Sequence, residues 1–251
     1  MKDFLSLTMV FIKKLKNVQK KHKNPVSFFK GVVILQQITM FNFEEYKKIR
    51  ENISFLGKNT EIVAISKNHP LVEVEKAILS GLEIFGENRV QEAKIKFEDI
   101  KEKNKKITLH LTGPLQTNKV NNALKLFDVF HTLDREKLLK ELSKHHEVIK
   151  KKSFFIQVNT GKEATKSGIF PEDTKRFLDL CKSYGVNNIA GLMCIPPIKD
   201  NPQKHFHIIN ELTTECKLGR PSIGMSSDYK HALKFDPKYI RVGTILFGKR
   251  I

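Results

Sequence analysis

From Phe43 onward the spacing of apolar residues switches between two periods in regular alternation. Residues 43–55 follow a helical period and stop before Gly57 and Asn59, both helix-ending residues. Residues 61–66, Glu-Ile-Val-Ala-Ile-Ser, form a β-branched run bounded by turn residues, which predicts a buried strand. Residues 70–79 return to helical spacing, with Pro70 at the start and Gly81 beyond the end. The same unit then recurs. Short apolar runs at 82–85, 108–112, 129–132, 154–158, 189–194, 221–225 and 239–247 predict strands. Polar, helix-period stretches at 88–103, 118–127, 135–149, 171–184, 203–216 and 228–235 separate them. Eight strands alternating with helices predict an α/β fold, a (β/α)8 TIM barrel. An open doubly wound sheet usually has fewer strands, and no GxGxxG follows the first one. No linker or change of composition interrupts 43–251, so a single barrel domain is expected over 40–251.

Residues 1–39 break this pattern. They hold eight Lys against one Asp, and their apolar patches are too short and interrupted to span a bilayer. Asp3 precedes the first patch and no small-residue cleavage site follows it, so a secretory signal is a poor reading. These residues are expected to be a leader outside the fold, with Met40 as the functional start.

Composition narrows the function. Hydrophobic residues make up 40% and charged residues 29%, an ordinary globular balance. Three cysteines without a CxxC pair give neither a disulfide framework nor a zinc site, which fits a reducing, cytoplasmic setting. The net charge of +18 raises a nucleic-acid role. Against it, the charge is mostly Lys spread over predicted helix surfaces, and no basic run is interleaved with aromatics. A Lys-rich solvated surface, with some help towards holding phosphates, is the better account; neither nucleic acid nor membrane is expected as a partner, and a monomer is the default.

In a β/α barrel, chemistry gathers where the C-terminal strand ends meet the βα loops. Lys67 follows the first strand. At the rim of an apolar barrel, desolvation and neighbouring cations ease its deprotonation, as a Schiff-base lysine requires. Ser226 after the seventh strand, with Gly243 and Thr244 in the eighth, forms a candidate phosphate cup. There glycine admits close backbone approach, and hydroxyl and N–H groups donate to anionic oxygens. Arg241 lies two residues before Gly243, hence on the same strand face, and would point either at a cofactor ring or at a buried acidic partner. Cys194 reads as a packing residue, because nothing near it in sequence favours a thiolate.

Together these segments resemble the pyridoxal phosphate homeostasis protein family. The matching runs are AISKNHP at 64–70, IFGENRVQEA at 84–93, HLTGPLQTNK at 110–119 and HTLDR at 131–135. QVNTGKEATKSG at 157–168, GLMCIPP at 191–197, SIGMSSD at 222–228 and IRVGTILFG at 240–248 complete the set. Any one is weak; eight in order are specific.

The resemblance implies a fold-type III barrel like the N-terminal domain of alanine racemase, with pyridoxal 5′-phosphate as cofactor on Lys67. It implies phosphate contacts from Ser226, Gly243 and Thr244 and a ring-nitrogen contact from Arg241. Asn88, Asn159 and Met225 match positions near the cofactor, and Lys119 and Lys166 match rim lysines. The implied function is intracellular vitamin B6 homeostasis, with cofactor-free enzymes as candidate recipients and without turnover. The alternative is an amino-acid racemase. Racemisation needs a second base opposite the lysine, which alanine racemase takes from a C-terminal β-domain. With the sequence ending at Ile251, soon after the eighth strand, that domain is expected to be absent.

Overall fold

A computed structural model describes residues 41–249, so the expectations for 1–39 and for Met40 lie outside the described residues. Helix α1 (Phe43–Phe55) begins where the Asn42 side chain accepts a hydrogen bond from the Glu45 N–H, an N-cap at the predicted boundary. Strand β1 (Glu61–Ile65) leads into α2 (Leu71–Leu79), β2 (Ile84–Glu87), α3 (Val90–Lys103) and β3 (Thr108–Leu111). Next come α4 (Val120–Leu126), β4 (Val129–Leu133), α5 (Glu136–Leu142), α6 (His146–Ile149) and β5 (Ser153–Gln157). The chain continues through α7 (Thr174–Ser183), β6 (Ile189–Met193) and α8 (Pro202–Glu215), whose first residue is a proline capped by Asn201. The last elements are β7 (Ser222–Met225), α9 (Tyr229–Ala232), β8 (Tyr239–Val242) and α10 (Thr244–Phe247).

The eight strands are parallel and pair in sequence order into a closed barrel, as the alternation predicts. Closure is made by β1 against β8, with Val63 opposite Arg241 and Ala64 opposite Val242. Alternate strand residues face opposite ways, and the apolar core divides accordingly. A large cluster fills the layer between barrel and helices, where Ala64, Phe85, Leu111, Phe154 and Leu192 meet the apolar faces of the helices. A smaller one, containing Val63, Phe155, Met193 and Tyr239, fills the barrel itself.

Several boundaries differ from expectation, three of them in ways that change an element. The run 239–247 is not one strand, because β8 stops at Val242 and a short helix follows Gly243. Its apolar residues serve helix packing instead: Leu246 and Phe247 are buried, and Phe247 lies against Phe41 and stacks on His69. The helix expected over 135–149 breaks into α5, a 3-10 turn and α6. The one expected over 228–235 shortens to α9 followed by a 3-10 turn.

Candidate cofactor site

Seven of the eight expected site residues line one cavity of about 580 Å³ at the C-terminal mouth of the barrel: Lys67, Asn88, Met225, Ser226, Arg241, Gly243 and Thr244. Lys67 is half-buried, two residues beyond the end of β1. The preceding Ser66 N–H still bonds to the Gly86 carbonyl of β2, so Lys67 leaves the sheet at the last paired position. Asn88 follows β2, and its side-chain oxygen accepts from the Thr112 hydroxyl at 3.0 Å. What remains for a ligand is its amide N–H2.

Opposite these, the Gly243 N–H donates to Ser226 Oγ at 3.2 Å, which brings the β7 and β8 ends together. Gly243 has a steric reason. A Cβ there would sit 3.2 Å from the Ile65 carbonyl oxygen, crowding the end of β1 just before Lys67. Gly224 takes φ +92°, and a Cβ there would meet that of Ala232 at 2.6 Å, so β7 packs tightly on α9 before turning into Ser226. Asp228 fixes that turn by accepting from the Met225 N–H at 2.6 Å, and burial pushes its carboxyl pKa up.

Arg241 is buried and finds no acidic partner within ion-pair distance among the described residues, unlike the alternative drawn from sequence. Its Nη1 donates to the Ser222 carbonyl and hydroxyl, both at 2.7 Å, and Nη2 donates to the Cys194 carbonyl at 2.8 Å. Three of the five guanidinium N–H groups thus meet protein acceptors, while the side chain still lines the cavity. Burial lowers its pKa from the ordinary guanidinium value.

Behind Arg241 runs a polar column inside the barrel. Ser222 Oγ lies 2.9 Å from His131 Nδ1, and His131 Nε2 lies 2.9 Å from His110 Nδ1. A guanidinium can only donate, so Ser222 Oγ accepts from Arg241 and its own proton is available to His131 Nδ1. With the hydroxyl donating, a neutral His131 carries its proton on Nε2, directed at His110 Nδ1. Burial drives His110 down to about 3, with Lys101 and Lys238 assisting, and holds His131 well below its ordinary value, with His110 and Arg241 assisting.

Asn159 is placed differently. It lines an adjoining cavity of about 680 Å³ that shares Asn88, Thr112, Ile195 and Met225 with the first. Its amide is used on its own loop, donating to the Glu163 carbonyl at 2.8 Å and accepting from the Glu163 N–H at 3.2 Å. Lys166 lies on this same rim, whereas Lys119 sits in a separate pocket beside Arg89 and Arg135. Cys194 is buried, its thiol pushed up to about 12 by burial, in keeping with a packing role.

Sequence reasoning passed over His69, which lines the Lys67 cavity, and the column through Ser222, His131 and His110. The available signal was a histidine in the middle of each of two apolar strands, β3 and β4. Among the described residues no group of His, Cys, Asp and Glu could hold a metal ion, and no helix is long and apolar enough to cross a membrane.

A closed parallel barrel with a lysine after its first strand and a serine–glycine–threonine cup beyond its last two defines a class. The family model of the alanine racemase N-terminal domain matches residues 45–250. Within that class, the chain belongs to the pyridoxal phosphate homeostasis protein family. It is 33% identical over 207 residues to the pyridoxal phosphate homeostasis protein of Aquifex aeolicus, covering 77% of this chain and 89% of that one. It is 34% identical over 224 residues to that of Buchnera aphidicola from Schizaphis graminum, covering 82% and 96%. In three dimensions it resembles PipY of Synechococcus elongatus, solved with pyridoxal phosphate bound. The TM-score is 0.70 and the identity 31%, over 82% of this chain and 99% of PipY. Alanine racemase from Acinetobacter baumannii shares the fold, with a TM-score of 0.64 at 17% identity over 83% of this chain and 62% of the racemase.

Proposed function

We propose that this protein binds pyridoxal 5′-phosphate in the Lys67 cavity and serves vitamin B6 homeostasis in the cytoplasm as a monomeric carrier, without turnover. One observation carries the reading: a half-buried lysine and a Ser226–Gly243–Thr244 cup line the same cavity. The cofactor, when bound, supplies an aldehyde that condenses with a primary amine. The Lys67 nitrogen adds to the aldehyde carbon, the carbonyl oxygen departs as water, and a C=N Schiff base remains. Ser226, Thr244 and the backbone N–H groups beside Gly243 donate to the phosphate. Arg241, anchored by Ser222 and Cys194, offers an N–H to the ring nitrogen. A permanently charged donor keeps that nitrogen unprotonated and the ring a weak electron sink, which suits storage better than chemistry. Asn88 and Met225 contribute to the wall, and Asn159 shapes the neighbouring loop. Lys119 and Lys166 add positive potential at the rim, where cofactor would pass to cofactor-free enzymes.

The test is the absorption spectrum of the purified protein with pyridoxal 5′-phosphate, before and after hydride reduction, followed by mass mapping. The expected adduct is on Lys67, and Lys67→Ala removes it. An adduct mapping instead to Lys119 or Lys166 overturns the assignment.

A further inference from the structure

We infer that Glu87, Glu92 and Lys96 are positioning residues for Lys67, forming a partly buried charged clamp that fixes the turn from which the lysine side chain departs. The inference rests on the reading of Lys67 as the Schiff-base residue and adds to it three residues outside the cavity.

The clamp grips the chain on both sides of Lys67. On the N-terminal side, Ser66 Oγ donates to Glu87 Oε1 at 2.7 Å, and the Ser66 carbonyl accepts from Lys96 Nζ at 2.7 Å. On the C-terminal side, the Asn68 N–H donates to Glu92 Oε1 at 2.6 Å, and the His69 carbonyl accepts from Lys96 at 3.4 Å. Lys96 ties the two acids together, at 2.6 Å from Glu87 and 2.8 Å from Glu92. Glu92 and Lys96 stand four residues apart on α3, hence on one face, while Glu87 closes β2.

Two features mark this as more than packing. Asn68 takes φ +60°, a left-handed conformation that asparagine tolerates better than other side-chain-bearing residues and that makes the sharp turn after Lys67, and its N–H is the group Glu92 holds. The clamp is also an expensive way to fill space. Glu87 is fully buried and Lys96 nearly so; Glu87 Oε2 has no hydrogen-bond partner among the described residues. Burial pushes the Glu87 carboxyl up, against the pull of Lys96 and Ser66. Well-packed apolar side chains of similar volume often stabilise as well as a buried ion pair does. What they cannot do is donate to the Ser66 carbonyl and accept from the Asn68 N–H, which sets the direction in which residue 67 leaves the barrel rim. Small displacements of a reacting group are costly in rate. A turn held from both sides is therefore a requirement on the rate of imine formation more than on phosphate binding, which lies across the cavity at β7 and β8.

The experiment separates those two quantities in the full-length protein. The rate of imine formation is followed by absorbance and by the hydride-trapped adduct at Lys67. Affinity is measured with pyridoxine 5′-phosphate, whose alcohol in place of the aldehyde cannot form the imine. Lys96→Met is expected to slow imine formation on the order of tenfold while changing pyridoxine 5′-phosphate affinity less than about twofold. Lys96→Arg, which keeps the charge and donors, recovers part of the rate. Should Lys96→Met fail to fold, Glu92→Ala removes the acceptor for Asn68 and the more exposed of the two carboxylates on Lys96, leaving the Glu87–Lys96 pair in place. It is expected to slow the imine by about threefold or more. Wild-type rates in the variants overturn the inference, as does loss of pyridoxine 5′-phosphate affinity by the same factor as the rate. A wild-type protein that forms no adduct at Lys67 overturns the functional reading itself, and the inference with it.

Discussion

Arg241 of β8 reaches Ser222 of β7 twice through a single nitrogen, at the carbonyl and at the hydroxyl, each 2.7 Å away. The hydroxyl continues to His131 and then to His110, so the guanidinium at the cavity floor is anchored by a column of neutral imidazoles inside the barrel.

That column predicts an acid-sensitive fold. Unfolded histidines take up protons near pH 6.5. His110 in the fold resists until about 3, and His131 is likewise depressed. Between those limits the unfolded chain binds more protons, so stability falls as pH drops from 6.5 towards 3. The limiting slope is about 1.4 kcal/mol per pH unit for each imidazole. Urea midpoints at pH 7.5, 6 and 5 measure it. His110→Phe is expected to flatten the dependence, and an unchanged slope in that variant would refute an origin in the histidine column.

The phosphate cup predicts discrimination between vitamers. Ser226→Ala removes a hydrogen bond to a charged group, worth about 1.5–3 kcal/mol. Affinity for pyridoxal 5′-phosphate should fall roughly tenfold to a hundredfold. Affinity for pyridoxal, which has no phosphate, should hardly move. Titration calorimetry of both ligands against both proteins decides the matter, and equal affinity of wild type for the two ligands removes the basis for the cup.

Racemisation is expected to be absent. It needs an acid–base group on each face of the substrate-bound cofactor. None of the four tyrosines lines the Lys67 cavity. Tyr239 is buried inside the barrel, Tyr229 is buried, and Tyr184 donates to Glu136 on the exterior. Incubation with L-alanine in deuterated water should give no D-alanine over many equivalents. Multiple turnovers that vanish in Lys67→Ala would make the protein an enzyme.

The barrel should not need residues 1–39. Its first described contacts are already specific: the Phe41 N–H donates to the buried Glu73 carboxylate at 2.8 Å, and the Asn42 N–H to the Leu246 carbonyl at 2.6 Å. A chain beginning at Met40 is expected to purify folded and to form the Lys67 adduct at the rate of the full chain. Failure on either count would make the leader part of the fold.

The alternation of periods made the barrel and its strand order legible, because each strand is buried on both faces and each helix on only one. It misled at 239–247. A continuous apolar run does not distinguish a buried strand from a short buried helix, and the glycine at 243 was read as part of a strand when it ends one. That seven of the expected residues would gather around one cavity was legible because the side chains lining a barrel mouth sit at strand ends, next to turn residues that announce themselves. Asn159 shares that address, yet its amide is consumed by its own loop, and no spacing rule reveals where an amide points. The interior column was hidden for the opposite reason. Histidines at 110 and 131 sit in apolar strands like any barrel-filling residue, and their partner Ser222 is over ninety residues away from either.

The seam between β1 and β8 has a temporal consequence. Lys67 follows the first strand, whereas Ser226, Gly243 and Thr244 follow the last two, so roughly 160 or more residues separate the amine from the phosphate cup along the chain. During synthesis the lysine emerges long before the cup exists, and unfinished or unclosed chains cannot grip the cofactor from both ends. Ligand that favours the closed ring therefore adds its binding free energy to the β1–β8 seam.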